Sequence, residues 1–173
     1  KPMTETAYTA EADYCPAPVI LGIHSNAFSA AVYSAGHAWI TVTRGYNTQY
    51  YGLWPDNHRL TKNNGPGYDI RTGLEKNYTA AASRYYALSE DQAQSLESLL
   101  KRNVSWGITH NCSSWASAVV RFIIGEDVDA DDFFGFETPR ELSRNIILLE
   151  AKDPTTRQNP KSLIKPANSS SAK

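Results

Sequence analysis

Two short stretches decide how this chain reads: Gly36-His37-Ala38-Trp39-Ile40-Thr41-Val42-Thr43 and, much later, Asn111-Cys112-Ser113-Ser114-Trp115-Ala116. The first is dense in β-branched and aromatic residues and predicts a strand that opens on a histidine. The second sets a cysteine ahead of small and apolar residues at helical spacing, which predicts a helix beginning at or near Cys112. A thiol there meets unpaired backbone N–H groups and the positive end of the helix dipole, and both favour the thiolate. The same N–H groups could bind the oxyanion formed during acyl transfer. An ordinary thiol, with a pKa of about 8.5, is mostly protonated at neutral pH and still needs a base.

Four histidines compete for that role: His24, His37, His58 and His110. His37 is favoured, because it starts a strand just after Ala35-Gly36, where small residues let another element come close. His110 is nearer in sequence, but its side chain should diverge from that of Cys112 across the helix start. His58 falls in an Asn- and Gly-rich loop, and His24 ends the first strand. The competing reading is bland: a lone cysteine in a helix is commonly a small hydrophobe. Cys15 takes that reading or a plain surface one. Trp39, Trp54, Tyr50 and Tyr51 read more readily as hairpin and core aromatics than as a substrate platform.

Outward from these stretches, Val19-Ile20-Leu21-Gly22-Ile23 reads as a buried strand, and Gln49 to Trp54 as the hairpin partner of the histidine strand, stopped by Pro55. Residues 57–73 read as a long surface loop, and Tyr78 to Leu88 as a further strand. Ser89-Glu90-Asp91-Gln92 forms a capping box for a helix running to Arg102. The Cys112 helix should bury Trp115, Val119, Phe122 and Ile123 and end at Gly125. A third helix starts at Thr138-Pro139, with Leu142, Ile146 and Leu149 inward. The acidic run Glu126 to Asp132 lacks calcium-loop spacing and reads as a solvated loop. The expected fold class is therefore α+β, a small antiparallel sheet packed against helices. Residues 1–18 read as an N-terminal surface segment, 19–152 as one catalytic domain and 153–173 as a loose C-terminal tail.

The 173 residues suffice for one hydrophobic core, and a formal charge of −1 argues against a broad phosphate-binding field, so no nucleic-acid partner is expected. No apolar run approaches the roughly 18 residues of a membrane span, and no stable membrane insertion is expected. Lys1-Pro2-Met3-Thr4 has no apolar signal core, so a signal peptide is absent or already removed. The histidines lack HExxH or paired-CxxC spacing, so neither a metal nor another cofactor is expected.

The two motifs, in the order histidine then cysteine, resemble the circularly permuted NlpC-like branch of the papain-like cysteine hydrolases. Lecithin:retinol acyltransferase-like proteins and YiiX-like bacterial enzymes belong to that branch. The helix start Leu88-Ser89-Glu90-Asp91-Gln92-Ala93 is also similar. The resemblance covers about Val19 to Leu149, though only the two motifs are specific. It implies a permuted papain-like core with Cys112 as nucleophile, His37 as base and a third polar group from the strand after the histidine strand. No second histidine stands there. Asp56 is the expected third member, narrowly ahead of Gln49.

Bacterial members of this branch often cut the peptide stems of peptidoglycan, and several are toxins delivered by type VI secretion. The expected function is thus a cysteine amidase or endopeptidase acting on peptidoglycan peptide, secreted into the periplasm of a target cell and held in check by an immunity protein. The alternatives are a thiol acyl hydrolase or transferase acting on lipid or protein conjugates, and a non-catalytic module binding glycan or peptide through its aromatic hairpin.

Overall fold

The computed structural model describes residues 17–28, 36–128 and 137–163. Strands β1 (Val19–Ser25), β2 (Ala38–Arg44), β3 (Asn47–Leu53), β4 (Ile70–Thr72) and β5 (Ala82–Leu88) precede helices α1 (Glu90–Leu100), α2 (Cys112–Ile124) and α3 (Pro139–Lys152), and β6 (Lys161–Ser162) follows. The strands form one sheet in the order β4-β3-β2-β1-β5-β6. The fold is α+β. The sheet is mixed rather than purely antiparallel, because β6 joins β5 in parallel.

Alternation along the strands divides the residues between two faces. Leu21, Ile23, Ala38, Ile40 and Val42 join Trp115, Ala116, Val119 and Val120 of α2 and Leu142 and Ile146 of α3 in the core. Each such aliphatic side chain, fully buried, contributes about 1.5–3 kcal/mol. The helices are too short to persist alone, so this apolar face is what holds them in place. Phe122, expected in the buried stripe, is 63% exposed. It falls between the turns that carry Val119 and Ile123 and points away from the sheet.

On the opposite face, Gly22 of β1 sits beside Thr41 of β2. A Cβ on Gly22 would collide with the Thr41 hydroxyl and come within 2.6 Å of His24 Nε2. Glycine thus makes room for His24, whose Nδ1 and Nε2 each lie 2.8 Å from a hydroxyl, of Ser83 and Thr41 respectively. Burial, aided by the positive charge of Arg157, pulls the His24 pKa down to about 3, so the ring stays neutral.

Of the segment after α3, expected to be a loose tail, residues 153–162 are docked on the sheet, while 164–173 lie outside the described residues. Arg84 of β5, fully buried, explains this. Its guanidinium donates to Glu126 at 2.8 Å, Glu150 at 2.6 Å and the Asp153 carbonyl at 2.8 Å. Lys161 completes the network by pairing with Glu126 at 2.7 Å and Asp153 at 3.0 Å. Glu126 is therefore not a solvated loop residue. Burial alone would raise its pKa, but hydrogen bonds from Arg84, Lys161 and Tyr86 outweigh that and bring it down to about 2. Cys15 lies outside the described residues.

Because an unfolded histidine takes up a proton near pH 6.5 and folded His24 does not until about 3, stability should fall as pH drops through that window. Urea unfolding should lose about 1–2 kcal/mol between pH 6.5 and 5. His24→Gln should flatten this slope, and an unchanged slope would assign it elsewhere. Below pH 4.5 the loss of the Glu126 charge adds to the same trend.

Candidate active site

Cys112 is the first residue of α2. Asn111 caps the helix, its Oδ1 accepting from the N–H groups of Ser113 at 2.9 Å and Ser114 at 3.2 Å, while Ser114 Oγ accepts from Asn111 N–H at 2.9 Å. The cap consumes two of the N–H groups expected to be open for an oxyanion. The N–H of Cys112 itself has no acceptor among the described residues.

His37 is set by backbone contacts just ahead of β2. Its N–H donates to Asn26 Oδ1 at 2.6 Å, and its carbonyl accepts from Asn26 N–H at 3.1 Å. Gly36 before it has φ 116°, and a Cβ there would lie 2.7 Å from the Ala27 methyl and 3.3 Å from Pro139. The small residue therefore does admit close neighbours, the end of β1 and the start of α3.

The group that faces His37 Nε2 is Glu75, at 2.8 Å. The same oxygen accepts from the Trp54 indole N–H at 2.6 Å, and Glu75 is fully buried. An indole only donates, so Glu75 Oε1 accepts there, and His37 Nε2 in turn carries a proton toward the carboxylate. The other ring nitrogen, Nδ1, is left for Cys112. The Trp54 and His37 rings pack with centroids 4.0 Å apart.

The electrostatics of Cys112 and His37 follow from these contacts. Burial would lower the His37 pKa, but hydrogen bonds and charge from Cys112 and Glu75 outweigh it and raise the pKa to about 9. Burial would raise the Cys112 pKa, yet the His37 ring, the Ala38 N–H and the Ser113 hydroxyl bring it below the ordinary thiol value. Both shifts favour a thiolate beside an imidazolium over a neutral thiol and imidazole.

The expected third members lie elsewhere. Asp56 is paired with Arg71 at 2.5 Å and also accepts from Asn64 N–H at 3.3 Å. Gln49 is exposed, accepts from the Tyr51 hydroxyl at 3.0 Å, and pairs with Val42. That register puts it about 16 Å along the sheet from His37. Of the other histidines, His24 is locked beneath the open face, His110 is exposed in the turn before α2, and His58 packs edge-on against Trp54 at 4.6 Å. Among the described residues no cluster of His, Cys, Asp and Glu could hold a metal ion.

Glu75 arrives on the turn after β4, where Gly73 N–H donates to the Tyr50 carbonyl and Tyr78 N–H to the Glu75 carbonyl, each at 2.9 Å. The one sequence signal for its place is Gly52, a glycine inside a strand of aromatics. A Cβ on Gly52 would overlap Glu75 Oε1 and lie 2.8 Å from both His37 Nε2 and Trp54 Nε1. Glycine thus leaves the space in which the three side chains meet.

Compared with protein-family models, curated proteins and solved structures, the chain matches none. The functional reading therefore rests on the geometry of the site together with the resemblance of the two motifs.

Glu75→Gln should bring the His37 pKa down from about 9, read from its ring-proton shifts in an NMR titration, whereas Asp56→Asn should leave it in place. An unmoved His37 in Glu75→Gln would remove Glu75 from this role. Gly52→Ala should cost about 1–3 kcal/mol in urea unfolding, the usual range for overpacking.

Proposed function

We propose that this protein is a cysteine hydrolase of the amidase or peptidase type, built on a permuted papain-like core and acting on peptidoglycan stem peptides. The observation that carries the reading is the assembly of Cys112, at a helix N-terminus, with a His37 that is itself held by a buried Glu75. A thiol with no chemical role has no need of a charged imidazole kept next to it by a sealed carboxylate. The order of the parts, with the histidine strand β2 before the cysteine helix α2, supports the permuted assignment.

In this reading the Cys112 thiolate attacks the amide carbonyl, its proton already resting on His37. The Cys112 N–H donates to the oxyanion. His37 passes its proton to the leaving amine, Glu75 holding the ring in the right tautomer throughout. Water, deprotonated by His37, then releases the acyl group and restores the thiol pair. Secretion into a target-cell periplasm and restraint by an immunity protein belong to the same proposal.

One observation favours a second reading, an acyl hydrolase acting on lipid. Ile108, 77% exposed, and Trp106 stand on the turn leading into α2, and the Ile108 carbonyl accepts from the capping Asn111 amide at 3.4 Å. An apolar surface beside the nucleophile suits a lipid chain.

Incubation of purified peptidoglycan with the wild-type chain should release new peptide fragments by mass spectrometry. Cys112→Ala and His37→Ala should remain folded and lose at least about a thousandfold in rate. No fragments from the wild type, together with fatty-acid release from ester vesicles, would transfer the assignment to the second reading.

The rate should also follow the thiolate–imidazolium pair. It should rise as pH climbs through the lowered Cys112 value and fall above about 9, where His37 loses the proton that the leaving amine needs. A rate still climbing past pH 10 would exclude His37 as the acid.

A further inference from the structure

The sheet face away from the helices carries a groove that the chemistry above does not use. One end is formed by Tyr78 and Trp39, whose rings pack against His37 with centroids 6.2 and 6.1 Å away. From there the groove follows β2 to Thr43, walled by Tyr50 and Tyr85, and encloses about 210 Å³. Trp39 to Thr43 spans about 13 Å of strand, the length of roughly four residues of extended chain. Arg157 closes the far end, its guanidinium donating to Thr48 Oγ1 at 3.5 Å.

The charge pattern of the groove is one-sided. Among the described residues, no Asp or Glu lines it or the adjoining cavity that shares Arg157. Among the described residues no carboxylate pairs with Arg157, whereas Arg44, Arg71 and Arg84 each have one. Beneath the groove His24 is neutral, so among the described residues Arg157 is the one cation lining it. A neutral imidazole has one donor and one acceptor nitrogen. Of the Ser83 and Thr41 hydroxyls bonded to it, the one that accepts from the ring keeps its own O–H for a ligand.

We propose that this groove binds a short extended peptide segment ending in a free carboxylate, with Arg157 taking the carboxylate and the aromatic walls packing the chain. Its use as a substrate channel, delivering the far end of the peptide toward His37 and Cys112, rests on the hydrolase reading; binding itself does not. A carboxylate accepts charge-assisted hydrogen bonds from a guanidinium, whereas the corresponding amide forgoes the charge and one acceptor oxygen.

The test uses the full chain carrying Cys112→Ala, so that no peptide is turned over. Acetyl-tetra-alanine as free acid and as C-terminal amide are titrated against it by calorimetry and by quenching of groove tryptophan and tyrosine fluorescence. The free acid should bind about tenfold more tightly than the amide. Arg157→Gln should erase the difference and Arg157→Lys should keep part of it. Arg157 is exposed with a single long hydrogen bond, so the urea midpoint of either variant should match the parent. Equal affinities, a preference that survives Arg157→Gln, or no binding of the free acid would each overturn the proposal. Binding without peptidoglycan cleavage by the wild type would sink the peptidoglycan reading and keep the groove. Cleavage without a carboxylate preference would do the reverse.

Discussion

Glu75 is sealed from water, and its Oε1 accepts from both the His37 imidazole and the Trp54 indole. An ionised carboxylate in such a place is costly unless donors and an opposite charge surround it. Its second oxygen, Oε2, has no hydrogen-bond partner among the described residues. The compensation therefore comes through one oxygen and through the positive charge on His37. This ties together parts of the chain that are far apart in sequence: the glycine at 52, the indole at 54, the turn that begins at Gly73 and the thiol at 112. None of these can change identity without disturbing the charge balance of the others.

The two members of the proposed catalytic pair are legible because each is announced locally. Asn111-Cys112-Ser113-Ser114 writes a helix start in four letters, and His37 opens a strand after a small residue. The capping box at Ser89 and the proline at 139 likewise place α1 and α3. Glu75 was not legible, because it reaches His37 across 38 residues on a turn with no periodic pattern. Asp56 looked closer on paper. Antiparallel pairing of β3 with β2 does carry the chain back past His37, but Arg71 from β4 claims the Asp56 carboxylate. The docked segment after α3 was hidden for a similar reason: its Pro-, Asn- and Ser-rich composition speaks of local disorder, while the buried Arg84 that recruits it lies in β5.

The two faces of the sheet divide the work. Aliphatic packing against α2 and α3 fixes where the helix bearing Cys112 meets the sheet, and so fixes the thiol relative to His37. The other face spends its positions on hydroxyls, aromatics and a neutral histidine, a choice that adds little hydrophobic stabilisation. On the helix side the buried Arg84, opposite Ile23 in the register, adds an ionic tie from β5 to Glu126 and to Glu150 of α3.

The sheet closes on β4, three residues long, at one edge and on β6, two residues long, at the other. Long open edges invite pairing with strands of another chain. Here β4 covers only Tyr51 to Leu53 of β3, and β6 only Tyr86 and Ala87 of β5, so each edge changes strand part-way along its length. Among the described residues, a strand added from another copy would thus meet only a broken edge, with short uncovered stretches at Asn47 to Tyr50 and Ala82 to Tyr85.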